Sequence, residues 1–201
     1  GEFWMGSPEG VGADDERPRL LRHVGAFTLG RTPVTVTQFR AFDPSVKGTD
    51  DHPVNHDWFT ARLYAAWLGG RLPTEAEWEY ACRSGTETAW SFGDDEARVG
   101  EYAWYNRNAG GKPHPVGQKR PNSWGLLDMH GNVLEWCESR FAPFGAVADR
   151  GPSRMLRGGS CWNSADGCRS AYRFWNLPAW RNEYIGFRVV LAPAPPAVGG
   201  R

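Results

Sequence analysis

Residues 122–136 read NSWGLLDMHGNVLEW, and this stretch does most to decide the fold. Taken by itself, it predicts a turn that begins at Asp128 and a strand that follows the turn. Three further segments accompany it along the chain. They are GEFWMGS at 1–7, GRLPTEAEWEY at 70–80, and LRGGS at 156–160 continued by GFRVV at 186–190. Each segment alone is only modest evidence for a fold, whereas the four together are a very specific signal.

Helical signals are confined to the first half of the chain. Residues 33–39 look like a helix entry with Thr35 as its N-cap. Residues 56–68 carry apolar side chains at positions 59, 63, 66 and 67, close to helical spacing, and two glycines stop that helix. These patterns predict helices early in the chain.

A capping box marks the next helix. Thr74 can accept from the amide of Glu77, and Glu77 can reach back to the amide of Thr74. We expect this helix to run to about Arg83 and to end at Gly85. From Gly85 to Val190 short apolar pieces alternate with Gly, Pro and Asn, which predicts short strands and long loops.

The order of these elements predicts an α+β domain. Residues 3–5 and 27–29 read as strands joined by a loop with an acidic stretch at 12–17. Two early helices, short strands, much irregular structure and no βαβ alternation fit that class. The domain is expected to span 1–191. Residues 192–201 form a Pro/Ala/Gly-rich tail, which we interpret as disordered or as a linker.

Composition limits the classes of partner. The chain has 201 residues, 23 Lys+Arg and 23 Asp+Glu, so its formal net charge is zero. This balance argues against nucleic acid and against a membrane surface as partners. No run approaches the ~20 apolar residues of a membrane span. The unusual feature is 11 Trp with 25 Gly and 15 Pro, which predicts many turns and a core built from large rings.

Four cysteines carry further information, and none belongs to a CxxC pair, which argues against a zinc ribbon. Two disulfides are permitted, but a chain of this length does not need them, and nothing in the sequence indicates an oxidising compartment. We therefore expect a cytoplasmic protein. The cysteines are Cys82, Cys137, Cys161 and Cys168.

The four segments together resemble the formylglycine-generating enzyme family, also called the sulfatase-modifying-factor domain. The resemblance covers about residues 1–191 and implies a C-type-lectin-like fold. That family contains copper-dependent oxidases that convert a substrate cysteine to formylglycine, and iron-dependent sulfoxide synthases of the ergothioneine type are related to it. It also contains non-catalytic relatives, among them ligand-binding variable proteins of diversity-generating retroelements. The site residues must decide between these activities.

The copper site of the oxidases is incomplete in this sequence. In those enzymes, two cysteines stand at the third and eighth positions after the serine of Gly-Gly-Ser, where two thiolates can hold Cu(I). Here these positions hold Asn163 and Cys168. Cys161 directly follows Ser160, so a copper pair of Cys161 with Cys168 would need a rebuilt loop. The alternative interpretation is that Cys168 is a small buried apolar residue.

An iron site also lacks support in the sequence. Such a site would need three imidazoles, usually with a closely spaced pair. His52 and His56 are four residues apart, but Pro53 lies between them, so they do not share one continuous helical face.

The central segment is similar to one that binds structural Ca²⁺ in the family. The resemblance implies as ligands the carboxylates of Asp128 and Glu135 and the carbonyls of Gly131 and Val133. Hard oxygen ligands of this kind suit Ca²⁺. The alternative is a turn without metal, followed by a strand in which Glu135 pairs with an arginine.

The segment 162–184 holds six aromatic residues in 23, where about three are expected from the average of the chain. These aromatic residues alternate with residues that we interpret as structural, including Arg169, Arg173, Arg181 and Arg188. The positions between them correspond to variable positions in the retroelement proteins, which crowd onto one exposed face of that fold. The alternative is that several of the rings belong to the core. These candidate ligand-binding residues are Trp162, Asn163, Ser164, Tyr172, Phe174, Trp175, Leu177, Trp180, Asn182, Glu183 and Tyr184.

Together these observations predict a non-catalytic ligand-binding or sensor module, of which a retroelement-type variable protein is one form. A protein or small-molecule ligand would bind at the aromatic-rich C-terminal face, and further domains could be fused to the module. The main alternative is a copper-dependent oxidase or related oxygen-using enzyme with Cys168 or Cys161 at its centre. A purely structural or assembly domain is the third interpretation.

Overall fold

Capping residues set the helix boundaries in the computed structural model, which describes residues 1–143 and 151–191. The predicted tail at 192–201 lies outside the described residues. Thr35 caps α1 by accepting from the amide of Gln38, and Thr74 caps α3 by accepting from the amide of Glu77. Both caps were predicted, and both helices are confirmed. The helices are α1 (Val36–Arg40), α2 (Trp58–Trp67), α3 (Glu75–Arg83) and α4 (Val99–Tyr102).

Three details of the helices differ from the predictions. The described chain has three early helices, α1, α2 and α3, where two were expected, because the five-residue α1 forms a helix of its own. The helix expected over 56–68 begins only after Asp57, because the Asp57 side chain accepts from the amide of Thr60 and so acts as the N-cap. The short helix α4 was not predicted, since its four residues are fewer than a periodic pattern needs. In the described part of the chain, no helix has the length and apolar character to cross a membrane.

The strands are short, as expected, and those within the described residues form four small sheets. The central sheet has the order β10-β7-β8-β9, with β10 parallel to β7 and the other pairs antiparallel. A three-stranded sheet places β11 between β3 and β4, so the C-terminal end of the described chain pairs with strands from its first half. The strands are β1 (Glu2–Met5), β2 (Leu20–His23), β3 (Thr28–Leu29), β4 (Gly70–Arg71), β5 (Ala103–Trp104), β6 (His130–Gly131), β7 (Leu134–Arg140), β8 (Arg154–Arg157), β9 (Arg173–Asn176), β10 (Ile185–Gly186) and β11 (Val190–Leu191).

The main hydrophobic core lies between α1, α2 and the central sheet. From α2 it takes Trp58, Ala61, Tyr64 and Ala65, all of them buried. The apolar positions that predicted this helix, 59, 63, 66 and 67, do not form its buried face; they are exposed. The reason is that α2 is apolar on two sides, so spacing alone does not reveal which side packs inward.

Buried ion pairs brace the elements around α3 and the central sheet. Arg157 is fully buried and pairs with Glu79, while Arg173 pairs with Glu75 through Nε at 2.6 Å and Nη2 at 2.9 Å. Arg169 and Arg188 are likewise buried and paired. Three of the four arginines expected to act as scaffold therefore do so, whereas Arg181 is exposed.

Candidate functional site

The Gly-Gly-Ser turn follows β8 and brings two distant loops together. Gly158 and Gly159 both have positive φ, at 93° and 70°. A Cβ at Gly159 would lie 2.3 Å from the carbonyl oxygen of Gly167 and 2.9 Å from Sγ of Cys168. Only glycine therefore allows the backbone to pass this close to the Cys168 thiol.

Asn163 stabilises the turn at the position where the oxidases carry a cysteine. Its side-chain oxygen accepts from the amide of Ser160 at 2.9 Å and from the Ser160 hydroxyl at 2.8 Å. Its carbonyl accepts from the amide of Asn106 at 3.0 Å. The Asn163 amide thus acts as a structural hydrogen-bonding group.

Cys168 is fully buried and free, and it packs in a small apolar cluster with Trp90 and Val99. Burial raises the pKa of its thiol far above the usual range. Cys161 is also buried and free, and burial raises its pKa to about 11. Since the thiolate is the metal-binding and nucleophilic form, neither sulfur is in its reactive state at neutral pH.

His130 is the buried polar neighbour of this cluster. Its Nδ1 donates to the carbonyl of Cys168 at 2.8 Å, and its Nε2 accepts from the amide and hydroxyl of Ser91 at 3.2 and 2.9 Å. Burial lowers its pKa to about 4, so the imidazole is neutral at physiological pH. These hydrogen bonds give His130 a structural role next to Cys168. Among residues 1–143 and 151–191, no three His, Cys, Asp or Glu side chains converge as metal ligands would.

The candidate calcium segment forms a tight turn between the central sheet and the loop 112–117. Asp128 and Gly131 have positive φ, at 55° and 76°, and Oδ2 of Asp128 accepts from the amide of Gly117 at 2.7 Å. Burial raises the pKa of Asp128, while the nearby Arg188 opposes that rise. The Asp128 carboxylate is buried and close to a positive charge that belongs to the protein.

Glu135 already has partners for both carboxylate oxygens. Arg188 donates to Oε2 and Oε1 at 2.6 and 2.7 Å, and Trp78 donates to Oε2 at 2.7 Å. The arginine pair that we set out as the alternative is thus present. A Ca²⁺ ion would have to share Glu135 with Arg188, so the residues present fit such an ion only in part, through Asp128 and the carbonyls of Gly131 and Val133. Calcium at this segment stays a prediction.

None of the eleven candidate ligand-binding residues is buried. The scaffold positions Arg169 and Arg173 that alternate with them along the chain are buried. Trp162 is 57% exposed, Trp175 42% and Leu177 55%, which is high for large apolar side chains. The exposed members are Trp162, Ser164, Trp175, Leu177 and Glu183, and the half-buried members are Asn163, Tyr172, Phe174, Trp180, Asn182 and Tyr184.

Four of the rings form a continuous row. Phe174 contacts Trp175 and Trp180 with ring centroids 6.5 and 6.1 Å apart, and Trp180 contacts Tyr184 at 6.3 Å. Phe174, Trp180 and Tyr184 also pack against the main core, so these three are rigidly held. The row continues to Phe141, whose ring stacks on Trp175 at 4.1 Å. Phe141 was missed because it lies outside the aromatic-rich segment.

Trp162 lies outside this row. Its ring rests against Gly111, where a Cβ would come within 2.9 Å of the indole. We name the whole set of eleven residues together with Phe141 the aromatic face.

The family is settled by comparison with known proteins. A model described as "Sulfatase-modifying factor enzyme 1-like domain" matches residues 1–193. The chain belongs to this family. Its fold is the C-type-lectin-like fold of the family, with few helices and short strands, as the resemblance implied.

Relatives with different names share similar levels of identity with this family member. The formylglycine-generating enzyme of Streptomyces coelicolor is 39% identical, over 71% of this chain and 54% of its own length. The hercynine oxygenase of Mycolicibacterium thermoresistibile is 32% identical, over 88% of this chain and 53% of its own. The serine/threonine-protein kinase pkn1 of Chlamydia caviae is 34% identical, over 94% of this chain and 36% of its own length. The chain thus spans about half the length of these relatives, or less.

Two solved structures match over nearly all of both chains. Treponema denticola variable protein 1 superposes with a TM-score of 0.87 at 26% identity, covering 96% of this chain and 92% of that one. PvdO from Pseudomonas aeruginosa superposes with a TM-score of 0.84 at 26% identity, covering 94% of this chain and 90% of that one. The proteins similar to this chain therefore include one that is named a variable protein and others that are named as enzymes.

Proposed function

We propose that this domain is a non-catalytic ligand-binding module whose ligand, a protein or a small molecule, binds at the aromatic face. One observation carries the proposal: every one of the eleven candidate residues keeps exposed surface, while Arg169 and Arg173 between them are buried. A core segment would show the reverse, with rings inside and arginines outside.

The chemistry of the aromatic face suits binding. Aromatic side chains give large contact area at a low cost in conformational entropy, and small polar residues add adaptable hydrogen bonds. Phe174, Trp180 and Tyr184 are anchored by the core, so little further ordering is needed when a ligand binds. Exposed apolar rings grouped in this way are typical of an interaction site.

The chlamydial relatives support a sensor role. They are named as serine/threonine-protein kinases, and this chain corresponds to 36% of their length. A domain of that share in a kinase is well suited to report a ligand to other domains. The similarity to Treponema denticola variable protein 1 supports a retroelement-type variable protein as one form of such a module. Four buried free cysteines fit a reducing compartment, so we place the module in the cytoplasm.

Selection of a random peptide library on the immobilised protein tests the aromatic face. We expect peptides that bind the wild type and lose at least tenfold in affinity with the double variant Trp175→Ser, Leu177→Ser. The matched control is the double variant Trp4→Ser, Leu21→Ser, because Trp4 and Leu21 are similarly exposed on β1 and β2. Equal loss in both variants, or no selected peptides at all, would contradict the proposal.

A copper-dependent oxidase is the second candidate, favoured by the 39% identity to the Streptomyces enzyme. It requires Cu(I) to be bound by thiolates, and the pair available is Cys161 with Cys168. Competition with a chromogenic Cu(I) chelator tests it. We expect the same weak binding in the wild type and in Cys168→Ser. Stoichiometric tight binding that is lost in Cys168→Ser would favour the oxidase.

A further inference from the structure

Helix α2 is apolar on two opposite sides. One side packs into the core through Trp58, Ala61, Tyr64 and Ala65. The other side carries Phe59, Leu63, Ala66 and Trp67, and the three large side chains are 52%, 62% and 52% exposed. These four residues recur at the spacing of a helical stripe, and we name them the outer stripe. The outer stripe shares no residue with the aromatic face.

The residues that the structure describes leave the outer stripe open to solvent. A helix that is apolar all round is normally covered on every side. A depression of about 500 Å³ lies beside the stripe and extends to Gly70, Arg71 and Glu138. It offers room for a bulky side chain from a partner surface.

We infer that the outer stripe is a two-fold interface with a second copy of this chain. Leu63 stands at its centre, with Phe59 four residues before it and Trp67 four residues after it. Two copies of α2 that cross antiparallel at Leu63 would place Phe59 of each copy against Trp67 of the other. An interface between identical surfaces must be self-complementary in this way. The small side chain of Ala66 lets the two helices approach closely.

Charges around the outer stripe also complement themselves. Arg62 pairs with Glu138 at 3.2 Å, and Arg71 pairs with Glu77 at 2.6 Å, so the rim carries both signs. Arg62 is 60% exposed, so its guanidinium is open to the carboxylates on the rim of a second copy. A rim of mixed sign suits a copy of itself better than a strongly acidic or basic partner, and a formal net charge of zero leaves little repulsion between copies.

The exposed area is consistent with a dimer. From the exposed fractions of Phe59, Leu63 and Trp67, the stripe offers roughly 300–400 Å² of apolar surface, taking about 150–250 Å² for a whole large side chain. Two stripes give roughly 600–800 Å². This total is below the ~1,200 Å² of stable interfaces, so we expect a weak dimer that forms with rising concentration.

Sedimentation velocity of the full chain tests the interface. We expect the wild type to show, with rising concentration, a species of twice the 22.4 kDa chain mass. The variant Leu63→Arg should remain at the single-chain mass throughout, with an unchanged melting temperature because Leu63 is exposed. The control Leu21→Arg alters a similarly exposed leucine on β2 and should dimerise like the wild type. A wild type that stays monomeric, whatever else covers the stripe, overturns the inference, and so does a dimer that survives Leu63→Arg.

Cysteine cross-linking tests the geometry. All four native thiols are fully buried, so an introduced surface cysteine is the accessible one. Leu63→Cys should form an interchain disulfide under mild oxidation, because two-fold symmetry places the two copies of residue 63 face to face. Trp4→Cys, on β1, should not. Equal cross-linking of both variants would show random collision and contradict the two-fold contact at Leu63.

Discussion

Arg188 holds the carboxylate of Glu135 with two hydrogen bonds, Nε to Oε2 at 2.6 Å and Nη2 to Oε1 at 2.7 Å, and neither side chain is exposed to solvent. Glu135 lies in β7, and Arg188 lies in the segment between β10 and β11. The indole of Trp78 in α3 donates to the same carboxylate. One buried charge therefore connects the central sheet, the third helix and the C-terminal part of the described chain.

Removing that charge should be severe. We expect Glu135→Gln to lower the free energy of unfolding by about 3–5 kcal/mol, because it leaves the Arg188 guanidinium buried without its counter-ion. Urea denaturation measures the loss. The control is Glu101→Gln, which breaks an exposed pair with Arg120 and should cost no more than about 1 kcal/mol. Equal losses would mean that the buried pair is no more important than a surface one.

Calcium binding at the same segment is open to a direct test. A Ca²⁺ ion would be held chiefly by Asp128 and backbone carbonyls, because Arg188 already occupies Glu135. Since affinity falls as the number of carboxylate ligands falls, we expect a dissociation constant on the order of 10⁻³ M. Calcium at that level should raise the melting temperature, EGTA should reverse the rise, and Asp128→Asn should reduce it. If neither calcium nor EGTA changes the melting temperature, the segment binds no calcium, and Arg188 is the positive charge that neutralises Glu135.

His130 predicts a loss of stability in mild acid. Its pKa is about 4 in the folded protein, through burial, against about 6.5 in the unfolded chain. Between these values the unfolded chain binds more protons, so the free energy of unfolding falls as the pH drops from about 6.5 towards 4, by about 3 kcal/mol at most. Urea denaturation at several pH values should show this slope in the wild type and a flatter one in His130→Gln. His23→Gln, at an exposed position, should keep the wild-type slope.

Local signals in the sequence predicted the helix ends well. Thr74 and Glu77 form the predicted capping box, and Thr35 is the predicted N-cap, with Gln38 completing a box that was not predicted. Such bonds depend only on neighbours in the chain, so they can be predicted without the fold. The outward side of α2 could not be predicted, because Phe59 and Leu63 are as apolar as the residues that pack inward.

The candidate site was predicted in its parts but not in its arrangement. The resemblance to the variable positions of the retroelement proteins predicted which positions between Trp162 and Tyr184 keep exposed surface. Contacts between residues that are far apart in the chain left no such pattern in the sequence. Phe141 stacks on Trp175 from 34 positions away, and Arg188 reaches Glu135 across 53. Contacts of this kind come from the packing of whole elements, which neither spacing nor composition encodes.

The position of Trp162 yields a prediction with a neighbouring control. Gly110 and Gly111 both have positive φ, at 62° and 69°, so alanine at either site pays a similar backbone cost of about 1–2 kcal/mol. A Cβ at Gly111 would meet the Trp162 ring at 2.9 Å, whereas a Cβ at Gly110 meets nothing within 4 Å. Only Gly111→Ala should therefore displace the indole from its place on the surface.

If Trp162 belongs to the aromatic face, peptides selected on the wild type should include some that bind Gly111→Ala as weakly as they bind Trp162→Ser. The same peptides should bind Gly110→Ala with wild-type affinity, because that variant has the backbone cost without the clash. Urea denaturation of the two glycine variants shows whether both remain folded. Should Gly110→Ala and Gly111→Ala weaken the peptides equally, the effect would come from the loop backbone, and Trp162 would have to be removed from the face.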